Sequence, residues 1–125
     1  MMFRLLIAVL VLFITFAPAA GAQTLQARAN EIRAAMDVRD FERAEQLTRD
    51  LRAASPSAFT SNNYDYLLAR LAERRGASAE AAALYLGLLS RNSPLSEYAL
   101  WHLSQMARAA SDLALERQYI TRLLA

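Results

Sequence analysis

The chain has 125 residues, 14 basic and 12 acidic side chains, no cysteine and a single histidine. That length supports one small domain, the lack of cysteine excludes disulfides, and the near-balance of charge argues against a nucleic-acid binder that works by bulk attraction. Every basic residue is Arg.

The first segment is not part of a folded domain. Arg4 supplies a positive charge, and Leu5 to Ala17 is apolar except for Thr15. Pro18 then breaks the run, and Ala20-Gly21-Ala22 sets small residues at the positions a signal peptidase inspects. The apolar run, about 13 residues, is short of the roughly 20 that a membrane span requires. Residues 1–22 therefore read as a secretory signal peptide cleaved between Ala22 and Gln23, with no membrane anchor left after cleavage, and residues 23–125 as the exported domain. Together with the Arg- and Ala-rich composition, this points to a bacterial periplasmic protein.

The remainder reads as three helical hairpins, at about 24–56, 61–92 and 94–125. In the first, Leu25, Ala29, Ile32 and Met36 share one helical face, Asp40 caps a second helix carrying Phe41, Ala44, Leu47 and Leu51, and Ser55-Pro56 stops it. The cap formers Thr60-Ser61-Asn62-Asn63 precede the second hairpin. Its first helix carries Tyr64, Leu67, Leu68 and Leu71. Gly76 suits a left-handed helix end, and Ser78 is placed to cap the helix of Ala81, Leu84, Tyr85, Leu88 and Leu89. Pro94 fits a first helical position in the third hairpin. There Leu95, Tyr98, Leu100, Trp101, Leu103 and Met106 surround most of the helix, which predicts burial on more than one side. Ser111-Asp112 restarts the chain into Leu113, Tyr119, Ile120, Leu123 and Leu124. Strand-like alternation is absent, so the fold class is all-α, with about six helices after the signal helix.

A short step recurs about every 35 residues, the spacing of stacked helical-hairpin arrays. It is Asp40-Phe41-x-x-Ala44, then Ala77-Ser78-x-x-Ala81, then Asp112-Leu113-x-x-Glu116. With Leu68, Ala69, Ala72 and Tyr85 in the second hairpin and Leu100, Leu103, Ser104 and Ala107 in the third, these residues resemble the tetratricopeptide repeat. Ser78 replaces the usual aromatic and Glu116 the usual small residue. The resemblance covers Leu25 to Leu124 and implies a right-handed helical-hairpin solenoid that binds a protein, peptide or cell-wall component. The stretch Ser93-Pro94-Leu95-Ser96-Glu97-Tyr98-Ala99-Leu100-Trp101-His102-Leu103 also resembles hairpin starts in the superhelical scaffold of soluble lytic murein transglycosylases. That likeness implies an alternative role as the amino-terminal scaffold of an enzyme acting on peptidoglycan. Its catalytic Glu-Ser dipeptide has no counterpart here.

Within the chain, a catalytic constellation is not evident. His102 has no second His or Cys to share a metal and reads as a satisfied helix histidine. Glu42, Glu45 and Glu73 stand beside Arg residues at helical spacing, which suits surface pairing. The reading is noncatalytic, with no cofactor and no metal. By analogy with the repeat, the first helix of each hairpin lines a concave face. That face comprises Gln26, Arg33, Asn63, Tyr66, Arg70, Arg74, Tyr98, Trp101, Gln105 and Arg108. Arg33, Arg70 and Trp101 would form a groove for an acidic peptide or a glycan, since guanidinium forks and aromatic planes suit carboxylates and sugar rings. Tyr119, Ile120, Leu123 and Leu124 end the chain without a polar covering layer, and each such side chain left exposed forgoes roughly 1.5–3 kcal/mol. The array is therefore expected to continue into further repeats or to dock its last helix on a partner.

Overall fold

The computed structural model describes the backbone from Ala20 and the side chains from Leu25 onward. The expected signal segment, residues 1–22, and its Ala22–Gln23 cleavage point fall outside the side chains described. The described residues form seven helices and no strand: α1 Ala20–Asp37, α2 Phe41–Ala54, α3 Pro56–Ser61, α4 Tyr64–Arg74, α5 Ser78–Ser90, α6 Ser96–Ala109 and α7 Leu113–Leu124. None of these is long and apolar enough to cross a membrane. The helices pack as pairs, α1 with α2, α4 with α5 and α6 with α7, and α2 meets α4 as α5 meets α6.

The pairing begins at three equivalent turns. Arg39, Gly76 and Ser111 take left-handed backbone angles, with φ of 59°, 82° and 60°. The next residue in each case, Asp40, Ala77 or Asp112, donates its N–H across the turn to the carbonyl of Ala35, Ala72 or Ala107, at 2.9 Å every time. The left-handed residue itself donates to Met36, Glu73 or Arg108. This double bond closes two of the carbonyls that a helix end leaves without partners. Asp40 and Asp112 then accept the N–H of Arg43 and Leu115 on their side chains and so start α2 and α7. At the middle turn Ala77, not Ser78, holds the cap position and offers no side-chain bond. The turn bonds determine the register, so the cap falls one residue ahead of the nearest hydroxyl.

The step residue four places after each cap is buried. Ala44 and Ala81 are fully enclosed and Glu116 nearly so. Around them lies a main core of Leu68, Leu84, Tyr85, Leu88, Leu100 and Leu103 with their neighbours, and a smaller one of Ala35, Ala44 and Leu71. Glu116 is tolerated where Ala stands elsewhere because its Oε1 accepts from Arg108 Nε at 2.6 Å. The pair clasps α7 to α6.

Two further sequence expectations require correction. The described residues hold seven helices where about six were expected: Ser55-Pro56 ends α2 and also starts α3. Proline is preorganised for the first helical position, and Phe59 anchors the short helix in the core at 5 % exposure. Pro94 lies ahead of α6, in a turn in which Ser96 donates to the Ser93 carbonyl at 3.0 Å and Leu95 N–H to Ser93 Oγ at 3.1 Å. Helix α6 packs on two sides, against α5 and α7, as expected, while Tyr98 and Trp101 of its apolar set stay 58 % and 52 % exposed. At the end of the chain, Tyr119 and Leu123 pack partly against the main core, whereas Leu124 stays 80 % exposed. The outward face of α7 carries Arg117, Gln118, Thr121 and Arg122, all exposed.

The three turns share one geometry but only one has glycine. Left-handed angles cost an L-residue roughly 1–2 kcal/mol, offset in part by the flexibility glycine adds to the unfolded chain. Ser111→Gly should therefore stabilise the protein by up to about 1 kcal/mol, and Gly76→Ala should destabilise it by about 1 kcal/mol. The site of Gly76 is open to a Cβ, so backbone strain alone sets that loss. Urea unfolding of the two variants checks both signs.

Candidate functional site

The densest polar cluster lies where α4 meets α6. Tyr66, Arg70 and Glu73 sit at helical spacing on α4 and share a stripe; Tyr98, His102 and Gln105 do the same on α6. Beneath them Tyr85 rises from α5, with no exposed surface. His102 stacks on Tyr85, with centroids 5.2 Å apart and planes 5° from parallel. Tyr66 meets Tyr85, Tyr98 and His102 at ring distances of 6.0–6.4 Å.

One oxygen ties the cluster together. Glu73 Oε2 accepts from Tyr85 Oη at 2.7 Å and from Arg70 Nη1 at 3.1 Å, and it lies 3.4 Å from His102 Nδ1. Arg70 Nη1 also stands 3.0 Å from His102 Nδ1, and Tyr66 Oη stands 3.2 Å from His102 Nε2. A guanidinium only donates, so Nδ1 is the acceptor and the imidazole proton is on Nε2, directed at Tyr66 Oη. The ring is therefore neutral. Burial, followed by the positive charge of Arg70, holds its pKa below the ordinary histidine value, and Glu73 offsets this only in part. Burial and then the Glu73 carboxylate push the Tyr85 phenol well above its usual range. Tyr85 thus remains a donor at any physiological pH.

The expected groove residues take different positions. Tyr66 and Arg70 join this cluster, and Arg70 remains nearly half exposed. Trp101 is exposed on the same helix as His102, and Gln105 borders an open cleft of about 500 Å³ with Glu73, Ser78, Met106, Ala109 and Ala110. Arg33 is exposed on α1. Asn63 is engaged inside the chain: its Oδ1 accepts from Arg91 at 3.0 Å and from Ser93 at 2.8 Å, beside the part-buried Asp65–Arg91 pair. Arg74 lies over the Phe41 ring at 3.8 Å, Arg108 pairs with Glu116, and Gln26 donates to Asn30. Glu45 does pair with Arg49, but as part of a network with Arg75 and Glu80 that joins α2 to α5.

Sequence reasoning treated His102, Glu73 and Tyr85 separately, as a satisfied histidine, a surface acid and a core residue. Their spacing within each helix was readable, but their meeting across three helices left no local signal. Among the described residues no three His, Cys, Asp or Glu side chains converge in a way that would hold a metal ion. No protein-family profile, curated protein or solved structure matches the chain.

Tyr85→Phe removes a hydrogen bond to a charged acceptor while keeping the ring stack. It should cost about 1.5–3 kcal/mol in unfolding free energy, measurable by urea denaturation. Acid should weaken the fold as well. The His102 pKa is depressed on folding, so below about 6.5 the unfolded chain takes up a proton that the folded chain resists. This stability is complete above that pH and is lost as pH falls through the folded value. Unfolding free energies at pH 7.5 and 5 should diverge for the natural chain, and His102→Gln should narrow that difference.

Proposed function

We propose that this chain is an exported, tetratricopeptide-like interaction scaffold: a right-handed solenoid of helical hairpins working in the bacterial periplasm, noncatalytic by itself. The first helix of each hairpin, α1, α4 and α6, presents the concave face to a protein or peptide partner. Three equivalent turns at Arg39, Gly76 and Ser111 support the repeat, because a stacked array needs the same hairpin geometry at each step. The secretory pattern of residues 1–22 supports export.

One observation carries the binding role. Tyr98 and Trp101, two large aromatics in a chain with a single tryptophan, stand more than half exposed on one face of α6. A neighbouring helix brings the half-exposed guanidinium of Arg70 to the same side, through its contact with His102. Exposed aromatic and Arg side chains are the groups that dominate recognition surfaces, because each removes a large apolar area on contact and still offers polar atoms. The face has little enclosure, which suits an extended peptide or a protein segment better than a small molecule.

A photo-crosslinking amino acid at Gln105 tests the reading, with one at Ala114 on the outward side of α7 as the control. In a Gram-negative host the protein should be recovered from the periplasm with Gln23 at its amino terminus. A defined adduct should form from position 105 and not from 114, and Trp101→Ala should abolish it. Retention of the uncleaved chain, or equal adducts from both positions, would defeat the proposal.

A further inference from the structure

The α4–α6 cluster contains a conflict that a single proton can switch. His102 Nδ1 has two suitors within reach: the Arg70 Nη1 donor at 3.0 Å and the Glu73 Oε2 acceptor at 3.4 Å. It can satisfy one of them at a time. A bare nitrogen accepts from Arg70, and a protonated nitrogen donates to Glu73.

We propose that His102 is a proton-operated latch on Arg70, which holds the guanidinium against α6 when neutral and releases it to the exposed face when protonated. The step is a simple proton uptake. The Nδ1 lone pair takes a proton from solvent, the Arg70 Nη1–H···Nδ1 bond breaks, and an Nδ1–H···Oε2 bond to Glu73 forms. The Nε2–H stays on Tyr66 Oη throughout.

Burial decides which member moves. In the neutral state Arg70 and Glu73 cancel, so the cluster carries no net charge. Protonation adds a positive charge next to a guanidinium, on a ring that is itself largely buried. His102 is 15 % exposed and fixed by its stack on Tyr85, and Glu73 is 27 % exposed and fixed by the Tyr85 hydroxyl. Arg70 is 46 % exposed and has a long flexible stem. Its departure relieves the repulsion at the lowest solvation cost.

Every neighbouring element agrees with this direction. α4 contributes Tyr66, Arg70 and Glu73, and α5 contributes Tyr85, which stays neutral. On α6 itself Tyr98 lies one turn before His102, and Arg108 is occupied by Glu116. On α7 Glu116 is that same partner, and Arg117 and Arg122 are exposed. No second carboxylate competes with Glu73 among the described contacts of His102.

The consequence for function rests on the proposed binding face: acidification would free a guanidinium on the side of α6 that carries His102 and Tyr98, for a carboxylate of the partner. The latch itself is tested without any partner. The chain has one histidine, so its ring resonances are unambiguous. Nitrogen NMR of the purified full chain from pH 7.5 to 5 should show the Nε2–H tautomer at the upper end. The ring and the Arg70 Nε resonance should then titrate together, with one midpoint below 6.5. Arg70→Gln should raise that midpoint and Glu73→Gln should lower it, each by about half a unit to one unit. An Nδ1–H tautomer at pH 7.5, or an Arg70 signal that stays still through the histidine transition, would overturn the latch in the natural chain alone. If the latch titrates as described while crosslinking from Gln105 fails at both pH 7.5 and 5.5, the switch stands and the binding role falls.

Discussion

The structure depends on one constraint: a helix that turns back on itself must satisfy its last carbonyls while bringing its partner helix close. The backbone bonds from Asp40, Ala77 and Asp112 to the carbonyls of Ala35, Ala72 and Ala107 meet the first demand. The buried residues Ala44, Ala81 and Glu116 meet the second. Because the turn is so short, it leaves no freedom in the rotation of the second helix. The face that α5 turns toward α4 is therefore fixed at Gly76, and Tyr85 comes to rest under Tyr66 and Glu73 as a result.

The same constraint explains which departures from the repeat are tolerated. A small residue at the step lets two helices approach, so a carboxylate there has to find a partner or become an isolated buried charge. Glu116 finds Arg108, which comes from the last turn of the facing helix. The position after the cap faces outward at Ser78 and Leu113, so the chemistry there is nearly free. Phe41 is the exception, since Arg74 of α4 stacks on it and joins the first hairpin to the second.

Much of this was legible in advance because it is local. Helical spacing of apolar residues, the Asp40 cap and the left-handed Gly76 all act within a few residues, and each appears as expected. The misses have a common origin. Pro56 and Pro94 were read by their preference alone, but tertiary contacts settled their use: Phe59 draws Pro56 into a helix start, and Ser93 draws Pro94 into a turn. Ser78 lost the cap to Ala77 because the turn bonds set the register first. At the candidate site, Tyr66 and Arg70 could be placed on one helix face from spacing. Their link to His102 spans 36 and 32 residues and needs the relative rotation of α4 and α6, which no periodicity within a helix contains.

The cluster also shows why a polar group is kept at a helix junction that could have been apolar. Two donors, Tyr85 Oη and Arg70 Nη1, converge on one carboxylate, and a neutral histidine accepts from the same guanidinium nitrogen. Replacing the set with leucine would pack the junction but would leave no preference for one rotation over another. Hydrogen bonds of defined direction supply that preference, because a small slip of α6 would leave Nδ1 or Tyr66 Oη without its partner, and such a loss inside a protein costs about 1–3 kcal/mol. The exposed Tyr98 and Trp101 are carried on this helix, and Tyr98 touches the rim of the core only at Tyr66. Their fixed placement therefore follows from the buried polar bonds one turn away. Under the proposed latch, a change of protonation at His102 would reach the exposed face through Arg70.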